Sequence, residues 1–285
     1  MRPGRVLLPL VLVLAACNEA PLTAADPELA RRIVTLAPNL TELVYAAGAG
    51  EYLVGVSAYS DHPAAALELP VVGDAFMIDQ ERLAELRPDL LLVWEGGTPS
   101  HVVDELRHLG YTVEPVQTNS LADVASAMTR IGHLTGKEEA ARRAVLDYES
   151  GLAAIRHPIE SGSDIRVFYQ VSARPLYTVN GDHYVSELIS TCGGTNIFAD
   201  LRELAPTVDV EAVVERDPEV ILASSDSEDD AFSEWSRWPN IAANRHGNHF
   251  KMPADAIGRA TPRLLEAAGA VCEALEVARG NRIPR

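Results

Sequence analysis

The sequence predicts an α/β fold: two Rossmann-like lobes joined by a single long backbone helix, with a cleft between the lobes. Three observations carry this. The first is a phrase written twice, 130 residues apart: Asp79, Glu81, Glu85, Pro88 and Asp89 lead into Leu90-Leu91-Leu92-Val93, while Asp209, Glu211, Glu215, Pro218 and Glu219 lead into Val220-Ile221-Leu222. Each copy reads as a short capped helix followed by a buried strand. Two copies are too few for a solenoid, and so long a spacing suits paired lobes built on one plan. The second is a stretch of roughly twenty residues from Lys137 whose apolar positions Ala141, Ala144, Val145, Tyr148, Leu152 and Ile155 recur at helical spacing, about 30 Å of helix. The third is that strand and helix signals restart beyond it in the style of the first half.

Residues 1–17 carry Arg2 and Arg5, an apolar stretch over 6–14, and Leu14-Ala15-Ala16-Cys17. This is an export signal too short to span a membrane, and small residues before a cysteine give it the form of a lipobox in which Cys17 is lipidated. Cleavage near Ala16 as an ordinary secretory signal is the alternative. Residues 18–30 form a tether. The first lobe, 31–136, opens with a strand at 32–36 and a helix read from Asn39-Leu40-Thr41-Glu42 as a capping box and ended by Gly48. Gly48 and Gly50 are no dinucleotide fingerprint, because they follow a helix and Leu53 stands in the third glycine's place. A strand at 53–56, a loop at 57–63, the first phrase, a helix at 102–109, a strand at 112–115 and a helix at 120–134 complete this lobe.

The linking helix takes 137–158, ended by Pro158 and Ser161-Gly162-Ser163. The second lobe, 159–285, has a strand at 166–171, a helix at 183–191, the second phrase, an acidic surface loop at Glu228-Asp229-Asp230, a strand at 250–252 and a last helix opened by Thr261-Pro262.

The formal net charge is −17, and removing the leader takes away two arginines and no acid. So acidic a chain does not track nucleic acid or anionic lipid by charge. With Cys17 set aside, Cys192 and Cys272 remain, an even pair in an oxidising compartment, for which a disulfide is the default and a catalytic thiol the alternative. There is no Gly-x-Ser-x-Gly elbow and no phosphate loop. His246 and His249 form a close pair, but spacing supplies no third ligand, so neither a catalytic cofactor nor a metal site is expected.

The stretches Leu36-Ala37-Pro38-Asn39-Leu40-Thr41-Glu42-Leu43, Val54 to Pro63, Arg87-Pro88-Asp89-Leu90, Trp94-Glu95-Gly96-Gly97, Cys192 to Phe198 and Arg259-Ala260-Thr261-Pro262-Arg263, in this order and spacing, resemble the helical-backbone substrate-binding proteins of ABC importers, most of all their corrinoid-binding members. The similarity runs from Arg32 to about Leu275. It implies a periplasmic protein, which the lipobox at Cys17 would hold by a lipid anchor, that carries cobalamin or another corrinoid to an ABC permease dimer with its cytoplasmic ATPase. It also implies that Cys192 pairs with Cys272, and that Glu81 and Glu211 dock on the permease. Its ligand cleft would use Tyr59, Trp94 and Gly96 from the first lobe with Tyr169, Asp255 and Arg259 from the second.

A corrinoid is a flat apolar macrocycle fringed with amides, which suits aromatic faces and a few hydrogen-bonding groups on loops. From the residues alone, Tyr59 and Tyr169 also fit core-edge positions, Trp94 the end of a strand, and Arg259 a pair with Asp255. The chain departs from the family at Ala75, Ala205 and Ala256, where further tryptophans face the ligand; Phe76 could replace one ring. Haem or a ferric siderophore is the alternative ligand, with Tyr59, Tyr169, His183 or Tyr184 as a haem's axial group. A lipid-anchored sensor and a metal-dependent enzyme are the readings from other classes.

Overall fold

The computed structural model describes residues 29–74, 76–155, 164–224 and 231–282. The export signal with Cys17, Ala75, the break at Pro158 and the Glu228-Asp229-Asp230 loop lie outside these residues. The first lobe runs β1 (Ile33–Thr35), α1 (Pro38–Ala46), β2 (Leu53–Gly55), α2 (Gln80–Leu86), β3 (Leu90–Trp94), α3 (Ser100–His108), β4 (Val113–Val116) and α4 (Leu121–Thr135). Its sheet is parallel throughout, in the order β2-β1-β3-β4. The linking helix α5 (Glu138–Ile155) packs on α4 and on the last helix of the chain.

The second lobe comprises β5 (Ile165–Gln170), the short strands β6 (Ser172–Ala173) and β7 (Leu176–Tyr177), α6 (Tyr184–Thr191), β8 (Gly194–Asn196), α7 (Val210–Arg216), β9 (Val220–Ser224), α8 (Ala242–His246), β10 (His249–Met252), α9 (Ala254–Ile257) and α10 (Leu264–Gly280). Its main sheet is also parallel, in the order β10-β9-β5-β8. Counted from each lobe's own first strand, both sheets have the order 2-1-3-4.

Parallel sheets bury both faces, which is why their strands read as unbroken apolar runs. Leu90 and Leu92 of β3 face one core while Leu91 and Val93 face another; Val220 and Leu222 of β9 divide from Ile221 in the same way. The first face of each sheet contributes to one continuous core that passes from Ile33 and Leu40 through Tyr148 of α5 to Ile165, Leu188 and Leu275. The second faces have cores of their own, under α2 and α3 in the first lobe and around Phe168, Phe198 and Trp235 in the second.

The duplicated phrase folds the same way twice. Leu83 and Val213 are fully buried beneath their helices. Each helix ends on a non-glycine residue in the left-handed region, Arg87 (φ 46°) and Asp217 (φ 45°), immediately before proline, where the right-handed helical region is disfavoured. The acid after each proline turns back to the start of its lobe's first strand: the backbone N–H groups of Arg31 and Arg32 donate to Asp89 (2.8 and 3.0 Å), and that of Arg166 to Glu219 (3.1 Å). The arginines close the loop by donating to the helix C-terminal carbonyls, Arg32 to Leu86 and Arg87, Arg166 to Asp217. The caps differ. Asp79 accepts the Arg82 N–H at 2.9 Å, whereas the Asp209 side chain makes no cap bond, contrary to the symmetric expectation.

Two other helix starts differ from the sequence reading. Pro38, with φ fixed by its ring, occupies the first turn of α1, so Asn39 to Glu42 lie inside the helix and form no capping box. The box forms instead at α4, where Ser120 and Asp123 cap one another. The last helix starts at Leu264 rather than at Pro262, and the Thr261 hydroxyl ahead of it donates to Glu42 at 2.9 Å. Cys192, just after α6, is bonded to Cys272 of α10, with Cα atoms 4.8 Å apart.

Candidate functional site

Ligands of open parallel sheets sit beyond the carboxyl ends of the strands, where loops diverge. In both lobes these ends face each other across a cleft of about 440 Å³. Trp94 closes β3, Tyr59 follows β2 and Thr118 follows β4; opposite them stand Tyr169 at the end of β5, His183 and Tyr184 at the start of α6, and the segment from Ile257 to Ala260.

The Tyr59 loop is held from below. A buried chain of hydroxyls runs Thr35, Thr41, Ser60 and Ser57 (2.7, 2.9 and 3.2 Å), and the Ala58 N–H donates to the carbonyl of Gly73 at 2.6 Å. Between these anchors Tyr59 takes φ 64° and presents a ring that is 81% exposed. A β-carbon-bearing residue in that region is uncommon and persists where its surroundings over-determine it. Trp94 is 38% exposed, and a β-carbon on Gly97 would fall inside its indole ring. Gly97 is therefore the seat of the indole. Gly96, expected in the cleft, is a turn residue with φ 85° that does not line it. Gly97→Ala is expected to swing the indole toward solvent, read as a red shift of tryptophan emission with the fold's circular dichroism unchanged.

Tyr169 is almost fully buried, and desolvation raises its phenol well above the usual range. Tyr184 is raised likewise, by burial first and Tyr169 second, and its hydroxyl donates to the Ile257 carbonyl at 3.0 Å. Burial lowers His183 to about 4, so its ring is neutral; Nδ1 accepts the Val185 N–H at 3.2 Å, which leaves the proton on Nε2. Arg259 closes the cleft from the second lobe. Its guanidinium donates to Asp61 (2.5 Å), Glu42 (3.0 Å) and the Tyr59 carbonyl (3.2 Å), all in the first lobe, and pairs with Asp255 at 3.3 Å. Burial opposes its charge, but the bonds to Asp61 and Glu42 outweigh this, and Arg259 in turn holds Asp61 below the usual carboxylate range. Elsewhere the lobes meet where the Tyr184 N–H donates to the Asn119 carbonyl (2.6 Å) and the Leu121 N–H to Glu187 (3.0 Å).

The structure thus gathers Tyr59, Trp94, Tyr169 and Arg259 around one cleft. Asp255 reaches it only through Arg259, and Phe76, 68% exposed, stands on an adjoining turn built on Asp74. Ala205 lines the cleft, whereas Ala256 is fully buried and does not. Sequence reasoning missed Gly97, Asp61 and Glu42. A lone charged residue, beside Leu40 and Leu43, on a helix with no other ionised side chain was the available signal for Glu42. Among the described residues no group of three or more His, Cys, Asp or Glu is placed to hold a metal ion, and no helix is long and apolar enough to cross a membrane.

Two parallel-sheet lobes of one topology, a single helix between them and a cleft at the carboxyl edges of both sheets define a two-lobed ligand-binding protein. The profile of the periplasmic binding protein family matches residues 33–256, and the chain belongs to that family. It is 37% identical over 273 residues to the vitamin B12-binding protein of Vibrio cholerae, an alignment covering 94% of this chain and 99% of that protein. It is 35% identical over 257 residues to the vitamin B12-binding protein of Yersinia pestis, covering 88% and 89%. Among solved structures, the periplasmic vitamin B12 binding protein BtuF of Vibrio cholerae superposes with a TM-score of 0.77, covering 87% of this chain and 98% of that one. A periplasmic haem-binding protein of Pseudomonas aeruginosa superposes at 0.73 with 25% identity, covering 87% and 93%.

Proposed function

We propose that this protein is the substrate-binding component of an ABC importer, taking cobalamin or a related corrinoid into the interlobe cleft and delivering it to a permease dimer driven by a cytoplasmic ATPase. It works in the periplasm, tethered through lipidated Cys17, and catalyses no reaction. The observation that carries this reading is the cleft itself: the exposed ring of Tyr59 and the glycine-seated indole of Trp94 flank a partly apolar opening, in a chain 37% identical to a vitamin B12-binding protein along nearly its whole length. A macrocycle with amide arms can lie on the rings and hydrogen-bond to the loops. Ala205 leaves room on the second lobe, which favours tolerance of more than one corrinoid.

The haem alternative is less well supplied with axial groups. His183 accepts a backbone N–H through Nδ1 and keeps its proton on Nε2, the Tyr184 hydroxyl is engaged with Ile257, and Tyr169 is almost fully buried, which leaves Tyr59 as the exposed candidate.

The test mixes protein lacking residues 1–17 with cobalamin, cobinamide, haem and a ferric siderophore, and follows co-eluting visible absorbance. Saturable corrinoid binding is expected, weakened by Trp94→Ala by about 2 kcal/mol, a factor of roughly 30, as for an aromatic anchor. Saturable binding of haem alone, unaffected by Trp94→Ala, overturns the reading.

A further inference from the structure

Glu42 is 4% exposed, sits in the middle of α1, and spends its carboxylate entirely on the other lobe. Oε1 accepts from Arg259 at 3.0 Å and lies 3.4 Å from Arg263; Oε2 accepts from the Thr261 hydroxyl at 2.9 Å. These donors come from one five-residue stretch, 259–263, between α9 and α10. The same stretch carries the guanidinium that lines the cleft and leads directly into α10. Arg259 has further acidic partners in Asp61 and Asp255, but both are about half exposed, at 48% and 53% of their side chains, so water screens them. Glu42 is the buried partner, and a buried carboxylate that loses its charge leaves two cations without a desolvated counter-ion.

We propose that Glu42 is the positioning residue of the cleft: its charge holds the two lobes at their working separation and the Arg259 guanidinium at the cleft wall. A carboxylate accepting three donors from one loop fixes that loop in direction as well as distance. The ion pair crosses from α1, the element whose first turn lines the cleft, to the loop lining the opposite wall. A change of charge at Glu42 therefore moves the two walls relative to one another, not one side chain within a wall. Its effect on affinity rests on the corrinoid reading above; its effect on lobe separation does not.

Glu42→Gln preserves shape and removes the charge. Spin labels at Leu109→Cys on the first lobe and Val277→Cys on the second, both exposed positions, report the interlobe distance distribution by electron-electron resonance. The wild-type distribution is expected to be narrow and that of Glu42→Gln broad, with cobalamin affinity at least tenfold weaker. Thr261→Val, which keeps every charge, is expected to broaden the distribution less and to weaken affinity a few-fold; it decides the matter if Glu42→Gln does not fold. An unchanged distance distribution in these variants overturns the proposal, and so does a broadened one with wild-type affinity. If the wild-type protein binds none of the tested ligands, the corrinoid reading fails and the distance measurement still decides the role of Glu42.

Discussion

Replacing Glu81 and Glu211 together with alanine is expected to abolish uptake while leaving ligand binding and thermal stability nearly unchanged. The anatomy of the duplicated phrase is what isolates these two residues. Its buried apolar residue, its proline and its final acid each have the same structural task in both lobes. Glu81 and Glu211 have none of that kind: both are exposed in the first turn of their helices, and neither has an ion-pair or hydrogen-bond partner among the described residues. A first-turn acid favours the helix macrodipole by about 0.3–1 kcal/mol, which does not call for the same acid at the same offset twice. Two equivalent acids on two equivalent lobes suit a partner with two-fold symmetry, as the proposed permease dimer would be. Charges desolvated on docking are worth about 2–5 kcal/mol each, so one substitution should weaken the complex by a factor of roughly 30 or more. Vesicles holding the transporter, supplied with mutant protein and labelled ligand, give the measurement. Uptake by the double mutant at the wild-type rate would leave helix capping as the whole role of these glutamates.

Cys192→Ala with Cys272→Ala is expected to lower the unfolding midpoint by roughly 9–18 °C. The disulfide closes a loop between cysteines 80 positions apart, and on chain-entropy grounds such a loop restricts the unfolded ensemble by about 4.5 kcal/mol. For a chain of this size each kcal/mol shifts the midpoint by about 2–4 °C. Both cysteines are buried, so the alanines leave small cavities that add to the loss. The bond also joins the end of α6, whose first turn lines the cleft, to the final helix, and ligand affinity near the folded baseline should be little altered. Scanning calorimetry of the oxidised protein and the double mutant decides this, and a shift under about 2 °C would refute it.

Much of the fold was legible because its signals are local. The repeated phrase carries its own helix, stop and strand, so it announces two lobes of one plan before any contact is known. The apolar positions of α5 are likewise written within a single element. The site was less legible because its decisive contacts are distant. Asn39 to Glu42 has the spacing of a cap, but Pro38 starts the helix earlier, and the freed side chains go to tertiary partners: Asn39 to Thr118, Thr41 to Ser60, and Glu42 to residues more than 200 positions away. Gly96 and Gly97 are indistinguishable as letters. Only the path of the chain shows that one makes the turn and the other seats Trp94. Arg259 was expected to meet a ligand and its neighbour Asp255; that it first ties the lobes together depends on where the 57–63 loop lies in space.

The single core that passes through α5 bears on how this molecule can be taken apart. A protein with two sheets suggests two pieces, each sufficient to itself. Here Ile131 and Met128 of one lobe share their apolar surroundings with Tyr148 of the linking helix, and that surface continues to Leu188 and Leu275 of the other. Severing the chain after α5 would leave two fragments each exposing an oily flank that water does not tolerate, so neither half is a module that could be swapped into another receptor. Tinkering with specificity in this protein therefore belongs on the loops at the strand ends, where rings and hydroxyls can be exchanged without disturbing what keeps the halves inseparable.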